Sequence, residues 1–485
     1  MKSIQVSSIL LSLLPFTEGI SLHRRQNGLE PRVMSVEIQR QGITNPIAND
    51  RKRFRRRDGT VDMSIDNEVR DSPHWHKSSL INSIQQSLYF LNVSLGTPPQ
   101  NFRLHLDTGS SDLWVNAQGS KLCSTHANIC AESGLYSPNK SSTYDYLNSD
   151  FNISYADGSG ASGDYATETF RMGSVKIEDL QFGIGYVTSD NEGVVGIGYK
   201  VNEAQVGQLN RDPYDNLPAK LAANGIIASN AYSLYLSDLE SATGTLLFGG
   251  VDQEQYVGKL VTLPINKIND EFSEFYITLN SVSADSETIS DSLNLGVVLD
   301  SGSTLSYLPA RLTQDIYDVV GAQYDEGQSV AYVPCDLAND SGNLTFSFQN
   351  SAEINVALSE LVLDFTVITG QQMSFNNGQQ ACTFGIAPTT SDISILGDTF
   401  LRSAYVVFDL NNNEISLAQS NFDVSGSHIL EIGSGKHPVP SGTGGGKSGS
   451  GNKENGAGSL SPLGSDGVLS MLAGAIALGF AWMLI

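Results

Sequence analysis

Leu106-Asp107-Thr108-Gly109-Ser110-Ser111 is the stretch that decides the fold, because it recurs as Leu299-Asp300-Ser301-Gly302-Ser303-Thr304. The second aspartate follows the first by 193 positions in a chain of 485 residues. Each copy follows an apolar run that predicts a β-strand, and its glycine allows a tight bend beside the acid. Two carboxylates on equivalent turns of two similar halves are what a proton-sharing acid pair requires.

A third acidic tripeptide, Asp340-Ser341-Gly342, is a control for chance. It lies in a polar stretch, and we interpret it as a surface turn. One motif after one strand would be an ordinary turn. The pairing of two copies in the same apolar context favours a catalytic role.

An apolar strand that ends in glycine returns at a similar distance behind each motif. Gly196 of Val194-Val195-Gly196 follows Asp107 by 89 residues, and Gly397 of Ile395-Leu396-Gly397 follows Asp300 by 97. Such a strand could pack beside the acidic turn and exclude water from one side of it. The period far exceeds that of solenoid repeats, so the sequence predicts two duplicated lobes.

Together these features resemble the pepsin-like aspartic proteases (peptidase family A1), and within them the fungal GPI-anchored, yapsin-like type. The matching stretch runs from about Leu88 to Ala418. It includes residues 96–100 (Gly-Thr-Pro-Pro-Gln) ahead of the first motif, residues 153–159 where the family has its flap, and residues 395–402 near the end.

The resemblance implies a mainly β, bilobal pepsin-like acid protease fold. Two β-barrel-like lobes, residues 80–260 and 261–424, would have the active-site cleft between them. Composition agrees with this fold, because the chain has many β-branched and aromatic runs, 47 glycines and few long amphipathic helical stretches.

Aspartic proteases are the known case of two carboxyl groups that share one proton. Held about 3 Å apart, the two cannot both ionise cheaply, so one stays protonated while the other acts as a base. The base takes a proton from water, and the acid donates to the substrate carbonyl. We assign these roles jointly to Asp107 and Asp300, and the resemblance implies neither a metal nor a cofactor.

The hydroxyls of both motifs have implied supporting roles. Thr108 and Ser301 would hydrogen-bond across the lobes and hold the two turns together. Ser110 and Ser303 would each support the outer oxygen of their own aspartate. Ser301 stands where many relatives have threonine, so a methyl group is lost while the hydroxyl is kept.

Three further residues are implied in substrate binding. Tyr155 would lie on the flap, a mobile hairpin that closes over substrate, with its hydroxyl near the indole N–H of Trp114. Ordinary strand packing is the alternative for these two aromatic residues. Asp157 matches a flap position that helps fungal relatives to accept a basic P1 side chain, so we expect a basic or mixed basic and hydrophobic P1 preference. Asp157 also fits a plain hairpin tip, because Asp-Gly is a strong turn signal.

The N-terminus predicts entry into the secretory pathway. Lys2 precedes an apolar run at residues 9–16, and small or polar residues at 17–19 offer a cleavage site. We therefore assign residues 1–19 to a signal peptide.

Four cysteines fit the oxidising environment that a signal peptide implies. Four cysteines allow three pairings. Their order and the family resemblance favour Cys123 with Cys130 in the first lobe and Cys335 with Cys382 in the second.

A basic cluster, Arg51-Lys52-Arg53-Phe54-Arg55-Arg56-Arg57, holds six cations in seven residues. Such a run can also bind nucleic acid, but a secretory signal favours a cleavage site for a dibasic-cutting convertase, with the cut after Arg57. Residues 20–57 would then be a propeptide, and its end could extend to about residue 77.

The charge distribution supports a propeptide. The first 57 residues hold 11 of the 28 lysines and arginines but only 4 of the 52 acidic residues, so the remainder has a formal net charge of −31. A cationic leader could dock across the cleft at neutral pH and loosen on acidification. The acidic body predicts low-pH operation and no attraction to nucleic acid, and we expect a monomer that acts on polypeptide substrates.

The C-terminal region changes composition twice. Gly, Ser, Pro and Lys dominate residues 425–455, which predicts a flexible linker. Residues 456–485 fit a GPI-attachment signal, with a ten-residue spacer before the apolar run 468–485. That run could just span a bilayer, but nothing basic follows it, as it would in a stop-transfer helix.

We favour Asn455 as the GPI attachment residue, with Gly456 or Asn452 as alternatives. The mature protein would then have no transmembrane helix. It would be held at the plasma membrane or pass to the cell wall.

Five sequons occur, and we expect glycans chiefly at those in polar, turn-rich stretches, namely Asn139, Asn339 and Asn343. Asn92 and Asn152 fall in strand-like runs near the core or flap. Their use is therefore the less expected.

Other catalytic motifs are absent from the sequence, including Gly-x-Ser-x-Gly, His-Glu-x-x-His and a phosphate loop. His74-Trp75-His76 stands alone and fits a solvated segment better than a metal pair. His105 beside the first motif fits an ordinary strand residue. The favoured function is a surface-anchored acid endopeptidase, and the alternative is a catalytically silent pepsin-fold binding or cell-wall protein on the same anchor.

Overall fold

Within the residues that the structure describes, β-strands are far more numerous than helices, and they pair both with sequence neighbours and with distant strands. The structure is a computed structural model, and it describes residues 21–22, 32–41, 88–125, 129–155, 159–285, 287–364, 373–389, 391–441 and 443–445. All of these belong to one unit that ends at Lys447. Several sequence predictions lie outside the described residues, namely those for the signal peptide, the basic cluster 51–57, residues 74–76, Asp157 and Asn455 with the GPI signal.

The strands, in chain order, are β1 (Ser21–Leu22), β2 (Met34–Gln41), β3 (Leu88–Leu95), β4 (Gln100–Asp107), β5 (Leu113–Asn116), β6 (Asp145–Ser154), β7 (Gly160–Met172), β8 (Val175–Thr188), β9 (Val194–Gly196), β10 (Ala231–Tyr235), β11 (Thr243–Phe248), β12 (Gly250–Asp252), β13 (Tyr256–Pro264), β14 (Tyr276–Ala284), β15 (Glu287–Ser290), β16 (Leu295–Leu299), β17 (Ser306–Leu308), β18 (Gln323–Asp325), β19 (Val330–Pro334), β20 (Asn343–Phe348), β21 (Glu353–Ala357), β22 (Val362–Leu363), β23 (Ala381–Phe384), β24 (Ile386–Pro388), β25 (Ser394–Leu396), β26 (Ala404–Asp409), β27 (Glu414–Ser420), β28 (Ile429–Glu431) and β29 (Thr443–Gly445).

The helices are short and lie between strands. They are α1 (Lys121–Thr125), α2 (Ala204–Leu209), α3 (Leu217–Ala223), α4 (Ala310–Val320), α5 (Leu358–Leu361) and α6 (Asp398–Leu401). Short 3-10 turns cover Pro138–Lys140, Lys200–Asn202, Gln253–Gln255, Cys335–Asn339 and Gln349–Ser351. Within the described ranges, no helix is long and apolar enough to cross a lipid bilayer.

A large sheet joins both halves of the chain. Its strand order is β29-β13-β27-β26-β10-β11-β2-β3-β4-β9-β5-β8-β7-β6. An eight-stranded sheet (β21-β20-β14-β16-β25-β17-β24, with β15 on β14) and a four-stranded sheet (β18-β19-β23-β22) hold most of the second half. The mainly β prediction is confirmed, and β26 and β27 return from the second half to the large sheet.

The two halves repeat one strand arrangement around the acidic motifs. β4 runs parallel to β9, β9 antiparallel to β5, and β5 parallel to β8. In the second half, β16, β25, β17 and β24 pair with the same alternation of directions. The duplication predicted from the paired motifs is therefore present in the strand order.

Side-chain alternation explains which strands face water. β20 and β21 alternate buried and partly exposed residues, which is typical of an antiparallel pair with one face on the core. β26 is buried along its whole length, because it lies inside the large sheet and is covered on both faces. The strands that lead to the motifs, β4 and β16, are partly exposed at their start and buried over their last residues, so each acidic turn starts from a buried strand end.

β2 belongs to the predicted propeptide, and it is an inner strand of the large sheet. It pairs antiparallel with both β11 and β3. Met34, Val36 and Ile38 are at most 3% exposed, and burying each contributes about 1.5–3 kcal/mol. The Arg40 guanidinium also donates to the carbonyl of Leu239. Strand pairing and the burial of apolar side chains thus hold residues 34–41 in the large sheet. The charge distribution of the predicted propeptide gave no indication of this.

The predicted linker does not begin at residue 425. β28 pairs with β12, and β29 pairs with β13. Ile432 is fully buried, and the Asp252 carboxylate accepts hydrogen bonds from the Ser427 hydroxyl and the His428 N–H, each at 2.7 Å. Backbone pairing needs few apolar side chains, so low apolar content did not reveal it. Any linker therefore begins beyond β29.

Both predicted disulfides are confirmed. Cys123 pairs with Cys130, with Cα atoms 5.6 Å apart, and Cys335 pairs with Cys382, with Cα atoms 4.9 Å apart. The first closes a short loop after α1, and the second joins the start of a 3-10 turn to β23. Each therefore lies within one half of the chain.

Three buried acids make the folded state more stable when their carboxyl groups are protonated. Asp112, Glu203 and Asp409 are at most 1% exposed. Burial raises the pKa of all three, and it raises the pKa of Glu203 to about 9. One Glu203 oxygen accepts the Tyr214 N–H at 2.8 Å, while Oε1 has no hydrogen-bond partner among the described residues. Ionisation of this carboxyl in the folded state is therefore costly.

We expect Glu203→Gln to reduce the loss of stability between acid and neutral pH. In the unfolded chain this carboxyl ionises near pH 4.5, whereas the folded state keeps its proton up to a pKa of about 9. Its stabilising effect is thus complete below pH 4.5 and is lost as pH rises toward 9, by up to about 1.4 kcal/mol per pH unit. Because an amide cannot ionise, the melting temperature of the variant should fall less between pH 4.5 and 7.

The matched control is Glu240→Gln, which changes an exposed acid. Its melting temperature should follow the unmodified protein at every pH. An unchanged pH slope for Glu203→Gln would contradict the expectation.

Candidate active site

Both acidic turns begin where a buried strand ends. β4 ends at Asp107, and β16 ends one residue before Asp300. The carbonyl of Asp107 accepts the N–H of Ile197 at 3.0 Å, and the N–H of Asp300 donates to the carbonyl of Leu396 at 3.1 Å. The apolar strands β9 and β25 thus lie beside the turns, as the sequence predicted.

The two carboxylates have matching surroundings. Asp107 is 3% exposed and Asp300 is 5% exposed. In each, Oδ1 accepts the N–H of the motif glycine, and Oδ2 accepts the hydroxyl of the motif serine. These contacts are Gly109 at 2.8 Å and Ser110 at 2.7 Å for the first acid, and Gly302 and Ser303, both at 2.8 Å, for the second. Donors on both oxygens hold each carboxylate in one orientation.

Thr108 and Ser301 join the turns by crossed hydrogen bonds. The Thr108 hydroxyl accepts the N–H of Ser301 at 2.9 Å and donates to the carbonyl of Leu299 at 3.0 Å. The Ser301 hydroxyl accepts the N–H of Thr108 at 3.2 Å and donates to the carbonyl of Leu106 at 3.1 Å. The predicted contact between the two motifs is therefore present, and the Ser301 hydroxyl makes the same two kinds of hydrogen bond as the Thr108 hydroxyl.

Gly109 lies directly against the opposite acid. A Cβ atom built on Gly109 would stand 2.5 Å from Oδ1 of Asp300, closer than any side-chain carbon can approach. A residue other than glycine would force the second carboxylate away. The two motifs, distant in the sequence, therefore form one site.

Tyr155, the predicted flap residue, contacts Trp114, as the resemblance implied. The indole N–H of Trp114 donates to the hydroxyl of Tyr155 at 2.7 Å. Trp114 is fully buried on β5, and Tyr155 follows β6 with 9% exposure. The N–H of Tyr155 donates to the carbonyl of Ser159 at 2.9 Å. Residues 156–158, which include Asp157, lie outside the described part.

The third tripeptide and His105, neither of which was predicted to be catalytic, have the expected positions. Asp340 and Ser341 of the third tripeptide are exposed, in the turn before β20. His105 lies in β4, 1% exposed, with its ring centroid 5.8 Å from that of Phe90.

The sequons differ in exposure. Asn139, Asn152 and Asn339 are exposed, whereas Asn92 and Asn343 are half-buried. Asn152 lies in β6, as its strand-like run indicated, but it faces water. Glycan occupancy remains a prediction at all five positions.

A buried acid next to the first motif was not among the predicted site residues. Asp112 is fully buried, and its Oδ1 accepts the hydroxyls of Tyr165 at 2.7 Å and Tyr214 at 2.9 Å. A signal was present, because Asp112 directly precedes the apolar run 113–115, and an acid that is buried beside such a run must find polar partners. Nothing in the sequence indicated which residues those partners would be.

The site has the elements of acid–base hydrolysis. Two nearly buried carboxylates, oriented by donors and held together by crossed bonds, can share a proton and activate a water molecule. Among the described residues, no three His, Cys, Asp or Glu side chains are grouped as ligands of a metal ion.

Comparison with known proteins agrees with this geometry. Residues 88–420 match the family model for eukaryotic aspartyl proteases. A relative from Aspergillus oryzae, named probable aspartic-type endopeptidase opsB, is 49% identical over 433 residues, which cover 88% of this chain and 83% of the relative. Secreted aspartic protease 1 of Candida albicans is 40% identical over 350 residues, which cover 71% of this chain and 84% of the relative.

A solved structure shares the fold. The aspartic proteinase from Irpex lacteus superposes with a TM-score of 0.57 and 22% identity, over 70% of this chain and 96% of that chain. The chain belongs to the pepsin-like aspartic proteases of family A1, and it is an aspartic-type endopeptidase.

Proposed function

We propose that Asp107 and Asp300 are the catalytic pair and cleave peptide bonds by activating one water molecule. The observation that supports this most is the mirrored set of donors around the two carboxylates. Four crossed bonds of Thr108 and Ser301 keep both sets in place.

The reaction needs one ionised and one protonated carboxyl. The ionised group takes a proton from water while the oxygen of that water bonds to the carbonyl carbon of the substrate, and the protonated group donates to the carbonyl oxygen. The tetrahedral diol then collapses, the amide nitrogen receives a proton, and the C–N bond breaks. Either acid can hold the starting proton, so the roles belong to the pair.

Acid operation follows from the same requirement. The pair is competent only while it holds one proton, and two carboxyls at close range retain that proton best in acid. The folded state is also most stable when the buried acids Asp112, Glu203 and Asp409 are protonated. The protonation of the proposed catalytic pair and the stability of the fold therefore both favour acidic pH.

We expect Asp107→Asn to lower kcat by at least about a thousandfold, because an amide can neither accept nor carry the catalytic proton. The measurement is cleavage of a peptide at pH 4, with and without a statine-type mimic of the tetrahedral state. The control is Asp340→Asn, in the exposed third tripeptide, which should keep full activity. Activity of Asp107→Asn within tenfold of the unmodified enzyme would rule out this role.

We further propose that the flap contributes to P1 selection. Tyr155 would cover the bound substrate while Trp114 holds its hydroxyl, and Asp157, two positions on, would offset the cost of desolvating a basic P1 side chain. The proposed P1 preference is basic or mixed basic and hydrophobic.

Asp157→Asn should lower kcat/KM about tenfold for peptides with lysine or arginine at P1, and leave peptides with leucine or phenylalanine at P1 nearly unchanged. A charged hydrogen bond contributes about 1.5–3 kcal/mol, which sets the scale. Asp145→Asn, an exposed acid at the far end of the same hairpin, is the control. Equal losses for both peptide classes would assign Asp157 to the hairpin turn alone.

Secretion and processing complete the proposal. A signal peptide at residues 1–19 and a convertase cut after Arg57 would produce the mature enzyme, a monomer whose N-terminal sequence would test the cut. One relative carries the name secreted aspartic protease, and two disulfides suit an oxidising compartment.

GPI attachment at Asn455 would hold the enzyme at the plasma membrane or direct it to the cell wall. Treatment of cells with a phosphatidylinositol-specific phospholipase should release activity into the medium. A truncated chain that ends at Lys447 should be secreted without treatment. Enzyme that stays bound and keeps residues 468–485 would contradict a lipid anchor.

A further inference from the structure

Asp112 connects the first acidic turn to two distant parts of the first half of the chain. It lies five residues after Asp107, and its carbonyl accepts the N–H of Gly196, on the neighbouring strand β9, at 3.0 Å. Its side chain accepts three hydrogen bonds, from the hydroxyls of Tyr165 on β7 and Tyr214, and from the N–H of Ala204 at 2.7 Å. These four hydrogen bonds reach β9, β7, the start of α2 and the segment before α3, so Asp112 joins all four.

The tyrosine on β7 begins a row of aromatic rings that ends at the flap. We name Trp114, Phe151, Tyr165 and Tyr214 the flap wall. The ring of Tyr165 lies edge-on to those of Phe151 and Tyr214, with ring centroids 5.2 Å and 6.0 Å apart. The ring centroids of Phe151 and Trp114 are 6.4 Å apart. Trp114 then donates its N–H to Tyr155. The row is continuous from the buried carboxylate to the flap tyrosine.

We propose that Asp112 is a positioning residue for the protease reaction, which acts through the flap wall to set the place of Tyr155 over the substrate. It contacts neither substrate nor the reacting water. Its two tyrosine bonds hold one end of the wall, and the Trp114 bond transmits that position to the flap. The proposal rests on the role proposed above for Tyr155.

The packing leaves the wall little freedom to adjust. A Cβ atom on Gly183 would stand 2.5 Å from the ring of Phe151, so the backbone of β8 lies directly against that ring. Loss of the carboxylate bond would leave a buried hydroxyl underbonded, and the ring would shift toward new partners. A shift of the order of 1 Å at a positioning group can cost about a hundredfold in rate.

The chain offers a matched pair of buried tyrosines. Tyr165 donates to Asp112 and Tyr136 donates to Glu168, both at 2.7 Å, and both rings are fully buried. Tyr136 packs on Phe182 and is not part of the flap wall. Replacing either tyrosine with phenylalanine removes the same kind of bond, but only one of the two bonds supports the flap.

The test compares Tyr165→Phe and Tyr136→Phe in the full-length enzyme, with kcat/KM at pH 4 and melting temperature as readouts. We expect similar losses in melting temperature, an about tenfold loss of kcat/KM for Tyr165→Phe, and less than about a twofold loss for Tyr136→Phe. Asp112→Asn should lower kcat/KM at least as much as Tyr165→Phe. Equal effects of the two tyrosine variants on kcat/KM would make Asp112 a structural acid only.

A double-variant cycle tests the route through the flap. Tyr155→Phe combined with Tyr165→Phe should lose less kcat/KM than the product of the two single losses, because both changes disturb one arrangement. Losses that multiply fully would overturn the proposal. If Tyr155→Phe alone keeps full activity, the flap role fails. If only Tyr165→Phe keeps full activity, the flap role stands and Asp112 has no part in it.

Discussion

The crossed hydrogen bonds between Thr108 and Ser301 are the constraint on which the rest of the site depends. Each hydroxyl accepts from the opposite N–H and donates to the opposite carbonyl, so four bonds join two turns that are far apart in the sequence. A single buried bond of this type contributes about 0.5–1.5 kcal/mol, but an unpaired buried group costs about 1–3 kcal/mol. The turns therefore cannot separate without exposing or orphaning several polar groups. That penalty keeps two acids close together although they would repel if both were charged.

The strand framework extends this constraint outward. β9 and β25 run parallel to the strands that carry the acids, and Gly109 allows the second carboxylate to pack against the first turn. The large sheet takes strands from both halves, because β26 and β27 return to pair with β10 and β13. Movement of one half relative to the other would have to deform a continuous sheet. β4 and β9 of this sheet flank the first acidic turn, and β6, the strand that precedes Tyr155, lies at its edge.

Buried acids give the fold its preference for low pH. A carboxyl that is removed from water resists ionisation, and burial raises the pKa of Glu203 to about 9. The folded state is therefore most stable with Asp112, Glu203 and Asp409 protonated, and this stabilisation is lost as pH rises.

The sequence alone determined the duplicated motif and the paired strands behind it, because both are encoded in local spacing and apolar patterning. The roles of the supporting hydroxyls and the mainly β fold followed from the family resemblance that those motifs carry. Composition misjudged residues 425–445, since strand pairing uses backbone groups that every residue carries. Only the tertiary structure decided that Asp112 bonds to Tyr165 and Tyr214, at 53 and 102 positions away. The partners of a buried acid are chosen by which chain segments the fold brings together, and a linear pattern does not record that choice.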